Sequence, residues 1–385
     1  MYYVTVKQPP VYHQMSLEDY LFGTETKQIS ARGDCTTTRT YEYQTLSGRV
    51  LRFADTDKLI GVLMKFNDET KHLRQVPRKN LYYEFYIPKK TGGLRRIDAP
   101  NEELKRTLRE LKKILEKDFG ALYHTSAYAY VSGRSTVSAM ERHRENESRW
   151  FAKYDLSNFF GSTTLAFIMN QLSMIFPFCE IMKIPAGRKE LETAIELCTL
   201  DGVLPQGTPI SPMLTNLIMI PIDFELARGL REFDTGDGHT QHFVYTRYAD
   251  DFQVSSRYDF KFRSIENYIR ETMQRMGAPY IMKAEKTRYG SSSGSNWNLG
   301  LMLNASNEIT VGHKKKRQLQ AMIASYIMDK RNGKNWDLHD IQVMDGLISY
   351  YSNVEGKEKI RAIVNHVAGK FGVDVFAMIR QDLSA

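Results

Sequence analysis

Phe243-Val244-Tyr245-Thr246-Arg247-Tyr248-Ala249-Asp250-Asp251-Phe252-Gln253-Val254 is the stretch on which the reading of this chain turns. Residues 243–248 are aromatic, β-branched or flexible and polar in the proportions of a half-buried strand. Ala249-Asp250-Asp251 makes a tight connection, and Phe252-Gln253-Val254 returns as the partner strand. Two acids therefore fall at the tip of one hairpin. Adjacent carboxylates repel each other, so they imply either an open, solvated turn or a bound cation. An isolated Asp-Asp in a turn is more often the former, and the rest of the chain has to decide.

A third acid stands in a matching position. Trp150-Phe151-Ala152-Lys153-Tyr154 reads as a strand with Asp155 at its end, followed by Leu156-Ser157-Asn158-Phe159-Phe160. An acid at a strand end can reach a cleft. Two magnesium ions about 4 Å apart, held by oxygen ligands, would relieve the repulsion among Asp155, Asp250 and Asp251 and activate a hydroxyl for in-line attack on phosphorus.

Upstream, Phe85-Tyr86-Ile87-Pro88-Lys89-Lys90-Thr91-Gly92-Gly93-Leu94-Arg95-Arg96-Ile97-Asp98-Ala99-Pro100 reads as two strands about a Thr-Gly-Gly turn, with four cations near its tip. Such a hairpin is either simply solvated or a clamp for phosphate. A helix follows, capped by Asn101, with Leu104, Leu108, Leu111 and Leu115 on one face and Gly120 near its stop. In Leu204-Pro205-Gln206-Gly207-Thr208-Pro209-Ile210-Ser211-Pro212, Gly207 permits close backbone approach to a ligand. Ser211-Pro212 reads there as an N-cap with proline at the first helical position. Beyond about residue 310 the pattern is helical, opening on His313-Lys314-Lys315-Lys316-Arg317 with Met322, Ile323, Tyr326 and Ile327 at helical spacing. Residues 1 to about 80 are tyrosine-rich (Tyr2, Tyr3, Tyr12, Tyr20, Tyr41, Tyr43) and carry no legible chemistry beyond a short buried helix around residues 59–64.

The bulk composition is that of a globular chain. Its 385 residues carry 53 basic against 45 acidic side chains, a net charge of +8 that is compatible with a polyanionic partner without requiring one. Cys35, Cys179 and Cys198 form no CxxC or Cys/His spacing, so neither a disulfide framework nor a zinc site is signalled, and a cytoplasmic setting is expected. No stretch approaches the roughly 18 apolar residues of a membrane span, so no membrane is expected.

In order and approximate spacing, Asp155-Leu156-Ser157-Asn158-Phe159-Phe160, Leu204-Pro205-Gln206-Gly207-Thr208-Pro209-Ile210-Ser211-Pro212, Tyr248-Ala249-Asp250-Asp251 and Asn298-Leu299-Gly300-Leu301 resemble four signatures of the bacterial reverse transcriptases. Retron, phage-defence and group II intron enzymes are the relatives meant, and the resemblance covers residues 85 to about 304. It implies an α+β right-hand polymerase: fingers and ferredoxin-like palm over residues 81–304, a basic helical thumb over 305–385, and an N-terminal extension of unknown role over 1–80. By the same resemblance Asp155, Asp250 and Asp251 hold two Mg2+ ions as catalytic ligands. Lys89, Lys90, Arg95 and Arg96 include the residues that grip the triphosphate. Phe160 excludes a 2′-hydroxyl, Gln206 and Gly207 line the nucleotide pocket, and Lys286 lies near the leaving pyrophosphate. Tyr248 together with Lys314, Lys315, Lys316 and Arg317 contacts nucleic acid. His143 stands where retron enzymes carry a signature histidine. The implied substrates are deoxynucleotides, copied from a noncoding RNA into DNA within a bacterial defence system; a protein partner or a second copy of the chain is left open. Template-independent or protein-primed synthesis, and a noncatalytic RNA-binding scaffold, are the alternatives.

Overall fold

A computed structural model of the chain describes the backbone of three short strands near the N-terminus and, with side chains, residues 56–89, 92–120, 123–292, 297 and 300–384. Lys90, Thr91, Asn298, Leu299 and the tyrosines at 2, 3, 12 and 20 lie outside the described residues. The N-terminal strands, Thr24–Lys27, Tyr41–Gln44 and Val50–Phe53, pair antiparallel in that order, with Thr24 opposite Gln44 and Tyr41 opposite Phe53.

The chain divides into two compact units that do not follow sequence order. One collects residues 1–134, 153–252 and 261–287; the other collects 135–152, 253–260 and 288–385. A four-stranded sheet runs Arg288–Ser291, Trp150–Asp155, Asp251–Ser256, Val244–Tyr248. The acid-bearing ends of its two middle strands, residues 153–155 and 251–252, belong to the first unit.

In that first unit the helix Thr56–Glu69 buries Leu59, Ile60, Leu63 and Phe66 while Met64 stays exposed, a helical stripe rather than a continuous apolar run. It packs on the helix Pro185–Glu196, where Gly187 is required. A Cβ there would stand 2.5 Å from the carbonyl oxygen of Ile181 and 3.0 Å from Cδ1 of Ile60. The hairpin pairs Tyr82–Pro88 with Leu94–Pro100, Tyr86 lying opposite Arg96 and Ile87 opposite Arg95. The helix Glu102–Lys117 then starts as its sequence dictates: the Asn101 side chain accepts from the Leu104 amide at 2.8 Å, and Leu104, Leu108, Leu111 and Leu115 are fully buried.

The helix start at residue 211 departs from the sequence reading. Ser211 is the first residue of the helix Ser211–Ile218 rather than its cap; Ile210 holds the cap position without a side-chain bond, and the Ser211 amide donates to Thr208 Oγ1 at 3.2 Å. The Ser211 hydroxyl instead donates to the Pro205 carbonyl at 2.9 Å and closes the loop on itself.

The second unit is built round the helices His313–Arg331, Leu338–Glu355, Lys357–Phe371 and Val375–Ser384. Their buried stripes include Leu319, Ile323, Tyr326, Ile327, Ile341, Met344, Ile348, Ile360 and Val364. This core continues through Met140, Phe151 and Trp297, with the rings of Phe151 and Trp297 stacked at 5.5 Å. Among the described residues no single helix is long and apolar enough to cross a membrane.

Candidate active site

Asp155 and the Asp250-Asp251 pair, far apart in the chain, meet because their strands are sheet neighbours. The Leu156 amide donates to the Asp250 carbonyl at 3.0 Å, and the Lys283 amide donates to the Asp155 carbonyl at 2.9 Å. The turn between the strands is strained: Ala249 holds φ +56°, a left-handed conformation that costs a residue with a Cβ about 1–2 kcal/mol. Its carbonyl is pinned by the Arg247 guanidinium at 3.1 Å.

Each acid that is tied down is tied by lysine. Lys286 Nζ reaches both oxygens of Asp155 at 3.0 Å, and Lys283 Nζ stands 3.3 Å from Oδ1 of the same carboxylate. Lys153 Nζ donates to Oδ2 of Asp251 at 2.7 Å. Burial, and behind it the Asp155 charge, pushes the Asp250 carboxyl up from its ordinary range. Burial also raises Asp251; the Lys153 ion pair opposes the rise, and Asp250 and Asp155 add to it. Packed carboxylates that resist ionisation are the expected signature of a site completed by cations.

Among the described residues no three or more His, Cys, Asp or Glu side chains converge as a preformed metal cage. The donor set nonetheless fits a hard divalent ion: it is all oxygen, carried on adjoining strand ends, and its repulsion is only partly relieved by the lysines. Lys286, reached on sequence as a residue near a leaving group, is here a counter-ion of Asp155, and this contact raises its own ammonium pKa against the opposing effect of burial.

The other residues singled out on sequence differ in their surroundings. Phe159 is core, packed on Tyr280 at 4.9 Å, whereas Phe160 is half-buried and tilted against it at 5.7 Å. The Gln206 carbonyl accepts from the Asp98 amide at 2.8 Å, so the loop is stitched to the base of the basic hairpin. Gly207 holds φ +125°, and a Cβ there would meet Ile97 Cγ2 at 2.8 Å and the Asp98 carbonyl at 3.0 Å. The close approach it serves is therefore to the hairpin backbone.

The four hairpin cations do not behave alike. Arg96 pairs with Asp98 at 2.8 Å and Glu84 at 3.2 Å, so it is engaged along its own strands. Arg95, on the opposite face, is exposed and pairs with no carboxylate among the described residues, and Lys89 is exposed beside the turn. Of the second unit's basic run, Lys315 Nζ donates to the Gly300 carbonyl at 2.9 Å and Lys316 Nζ to Glu355 at 2.9 Å. Lys314 and Arg317 are exposed. Two of these four cations are thus engaged by partners within the chain and two face solvent. His143 is a core residue, its Nδ1 2.6 Å from the Ser255 hydroxyl, which in turn donates to Ser148 at 2.7 Å. Burial pushes its pKa down to about 3.

Two features escaped the sequence reading. Arg247 is wholly buried on Asp223, and Tyr130 sits in a left-handed backbone beside the acids. The Gly133-Arg134 pair was the only nearby signal. Arg134 donates to the carbonyls of His124 at 2.5 Å and Ala127 at 2.6 Å, fastening the segment that carries Tyr130.

Residues 87–319 match the family described as reverse transcriptase (RNA-dependent DNA polymerase). The Retron Ec83 reverse transcriptase of Escherichia coli is 24% identical over 314 residues, covering 79% of this chain and 91% of the relative. The Retron Ec73 reverse transcriptase of the same species is 30% identical over 211 residues, 54% of this chain and 64% of that one. Among solved structures, telomerase from Candida albicans in complex with a TWJ fragment of telomeric RNA aligns at 10% identity and a TM-score of 0.43, covering 89% of this chain and 71% of that chain. The match over more than half its length, with the acids at adjoining strand ends, places this chain in the reverse transcriptase family as an RNA-directed DNA polymerase of the bacterial, retron-like kind.

Proposed function

We propose that the chain extends a primer 3′-hydroxyl with deoxynucleotides by a two-magnesium nucleotidyl transfer, copying a noncoding RNA in the bacterial cytoplasm as part of a retron-like antiphage system. The observation that carries this reading is that Asp155 and the Asp250-Asp251 pair stand at adjoining ends of the two middle strands, with Lys153, Lys283 and Lys286 as their only counter-charges among the described residues. The two ions held by these acids would activate the primer hydroxyl and stabilise the departing pyrophosphate.

The protein's own residues do the remaining work by position and charge. Arg95 and Lys89 are exposed hairpin cations that pair with no carboxylate among the described residues and are suited to a triphosphate. Phe160 stands half-exposed five positions beyond Asp155, where it fits a sugar gate. Lys286 already lies on Asp155, and once cations take over that carboxylate it is free to answer charge developing on the leaving group. Lys314 and Arg317 are the second unit's candidates for phosphate contact with the RNA–DNA duplex.

Primer extension by the purified chain with four deoxynucleotides and magnesium tests this, with and without a primed RNA template, beside an Asp250→Asn/Asp251→Asn double variant. Template-dependent product that disappears in the variant is expected. Product made without template would replace the reading with untemplated synthesis. No product, even on RNA copurified from the native host, would leave a scaffold.

A further inference from the structure

We propose that Tyr130 is a specificity-determining wall of the nucleotide pocket, its ring contacting the incoming deoxynucleotide beside the catalytic turn; this rests on the polymerase reading above. The segment carrying it is a rigid ledge along the strand Val244–Tyr248. The Tyr128 amide donates to the Arg247 carbonyl at 2.9 Å, and the Arg247 amide donates to the Ser126 carbonyl at 2.7 Å. The Asn216 side chain donates to the Ala129 carbonyl at 2.7 Å. Ala127 bridges Arg247 in parallel. Arg247 lies three residues before Asp250 and Ala127 three before Tyr130, so the ledge leads from this bridge toward the acid-bearing turn.

There the chain does something costly. Tyr130 takes φ +59°, a conformation rare for a residue with a bulky side chain. Ala127, Tyr128 and Ala129 before it are buried, yet Tyr130 is 57% exposed. A strained backbone that turns a large aromatic ring out to solvent gains nothing for the core, and strain of this kind gathers where a side chain must be aimed. What the ring is aimed among is informative. Asp250, Tyr248 and Arg95 are the ionisable groups in range of its phenol. Arg95 pairs with no carboxylate among the described residues and Asp250 is one of the acids proposed to hold the metals, so the phenol is within electrostatic range of both a group suited to a triphosphate and a group at the proposed site of bond formation. A sugar and base attached to that triphosphate have to pass this ring. A phenol offers them a stacking face and one hydroxyl.

The test uses poly(rA)·oligo(dT) and dTTP with the full chain carrying Tyr130→Ala, Tyr130→Gly or Tyr130→Phe. Three quantities are read: KM for dTTP in extension, the equilibrium affinity for dTTP of a complex with chain-terminated primer, and the affinity for the primer–template itself. Alanine and glycine are expected to weaken both dTTP readings about tenfold, with duplex affinity within twofold of the parent and phenylalanine within threefold on every reading. Glycine relieves the left-handed strain, so its thermal midpoint should equal or exceed the parent's, which separates loss of contact from loss of fold. Unchanged dTTP binding in the alanine and glycine variants would overturn the proposal. So would a loss confined to duplex affinity, which would put the ring on the template or primer. Extension by the unsubstituted chain reports separately on the polymerase reading, and the terminated complex reads Tyr130 without requiring turnover.

Discussion

Arg247 and Asp223 form a fork-to-fork ion pair behind the Ala249-Asp250-Asp251 turn, Nε to Oδ1 at 2.8 Å and the terminal nitrogen to Oδ2 at 2.7 Å, with neither side chain exposed. The pair is satisfied on all sides. Tyr245 donates its hydroxyl to Asp223 at 2.8 Å, and Arg247 also donates to Asn216 at 3.2 Å and to the Ala249 carbonyl at 3.1 Å. One guanidinium thus joins the helix Ile220–Arg231, the helix Ser211–Ile218 and the strained residue just before Asp250.

Asp223→Asn leaves the guanidinium buried without its counter-charge, and removal of one partner of such a pair costs about 3–5 kcal/mol. A lower urea midpoint is expected. Arg247→Lys keeps the charge but loses the fork, so the Ala249 carbonyl goes unheld. For the lysine variant, kcat in primer extension should fall roughly tenfold while KM for deoxynucleotide stays within about twofold, because the damage is to the position of the acids rather than to the pocket. Equal kcat in a stably folded variant would show that the turn keeps its shape without Arg247.

How much of this was legible depends on the range of the interaction responsible. Asn101 and the leucines after it speak through local geometry, and so do the strands ending at Asp155 and Asp250; each was readable from spacing. The Arg247 partner was not, because Asp223 sits on a different element and nothing in Thr246-Arg247-Tyr248 distinguishes a buried arginine from a solvated one. The intrachain partners of Lys315 and Lys316 are illegible for the same reason. A run of cations looks alike along its length, and only the packed helix decides that Lys316 turns in to Glu355 while Lys314 stays out. Tyr130 was hidden by backbone conformation, since a tyrosine at positive φ leaves no compositional mark. Neither unit is continuous in sequence: residues 135–152 and 253–260 group with 288–385. A division drawn along the sequence at residue 304 could not anticipate that.

Acid sensitivity should trace in part to His143. Its pKa falls to about 3 in the folded chain through burial, against about 6.5 when unfolded. Below about pH 6.5 the unfolded chain takes up a proton that the folded chain refuses, so the stability present above that pH is lost progressively as pH falls toward 3. His124, buried and lowered to about 4, acts in the same direction. Denaturant midpoints across pH 7.5 to 4.5 should therefore decline. His143→Gln, which cannot titrate but can still bond Ser255, should decline less steeply by close to one proton, about 1.4 kcal/mol per pH unit. Parallel profiles would mean that His143 takes up its proton equally in the folded and unfolded chain.

The second unit's cations separate by what they touch. Glu355 accepts from Thr310 at 2.7 Å, the Val311 amide at 3.0 Å and Lys316 at 2.9 Å; burial opposes its ionisation, yet these bonds hold its carboxyl below the ordinary range. Lys316→Ala should then lower thermal stability and leave the salt dependence of duplex binding unchanged. Lys314→Ala and Arg317→Ala should each flatten the slope of log affinity against log salt by about 0.7–0.9 if each neutralises one phosphate, with little change in stability. A flattened slope in the Lys316 variant would place that lysine on nucleic acid despite its ion pair.

Phe160 offers the most direct reading of sugar choice. Its neighbour Phe159 is anchored in the core against Tyr280 and Phe167 packs on the same ring at 5.5 Å, so the position of Phe160 is set from below while its own ring remains half-exposed. Phe160→Val removes bulk from the pocket side and leaves the Phe159 anchor in place, so the fold should tolerate it. If the ring excludes a 2′-hydroxyl, the ratio of kcat/KM for dTTP over UTP on poly(rA)·oligo(dT) should drop at least tenfold, mainly through better use of UTP. That range matches the roughly 1–3 kcal/mol by which pocket shape discriminates small groups. Phe159→Val should instead lower the melting temperature and impair both substrates alike. A Phe160 variant whose two efficiencies fall together would make Phe160 a packing residue and leave sugar discrimination to another part of the pocket.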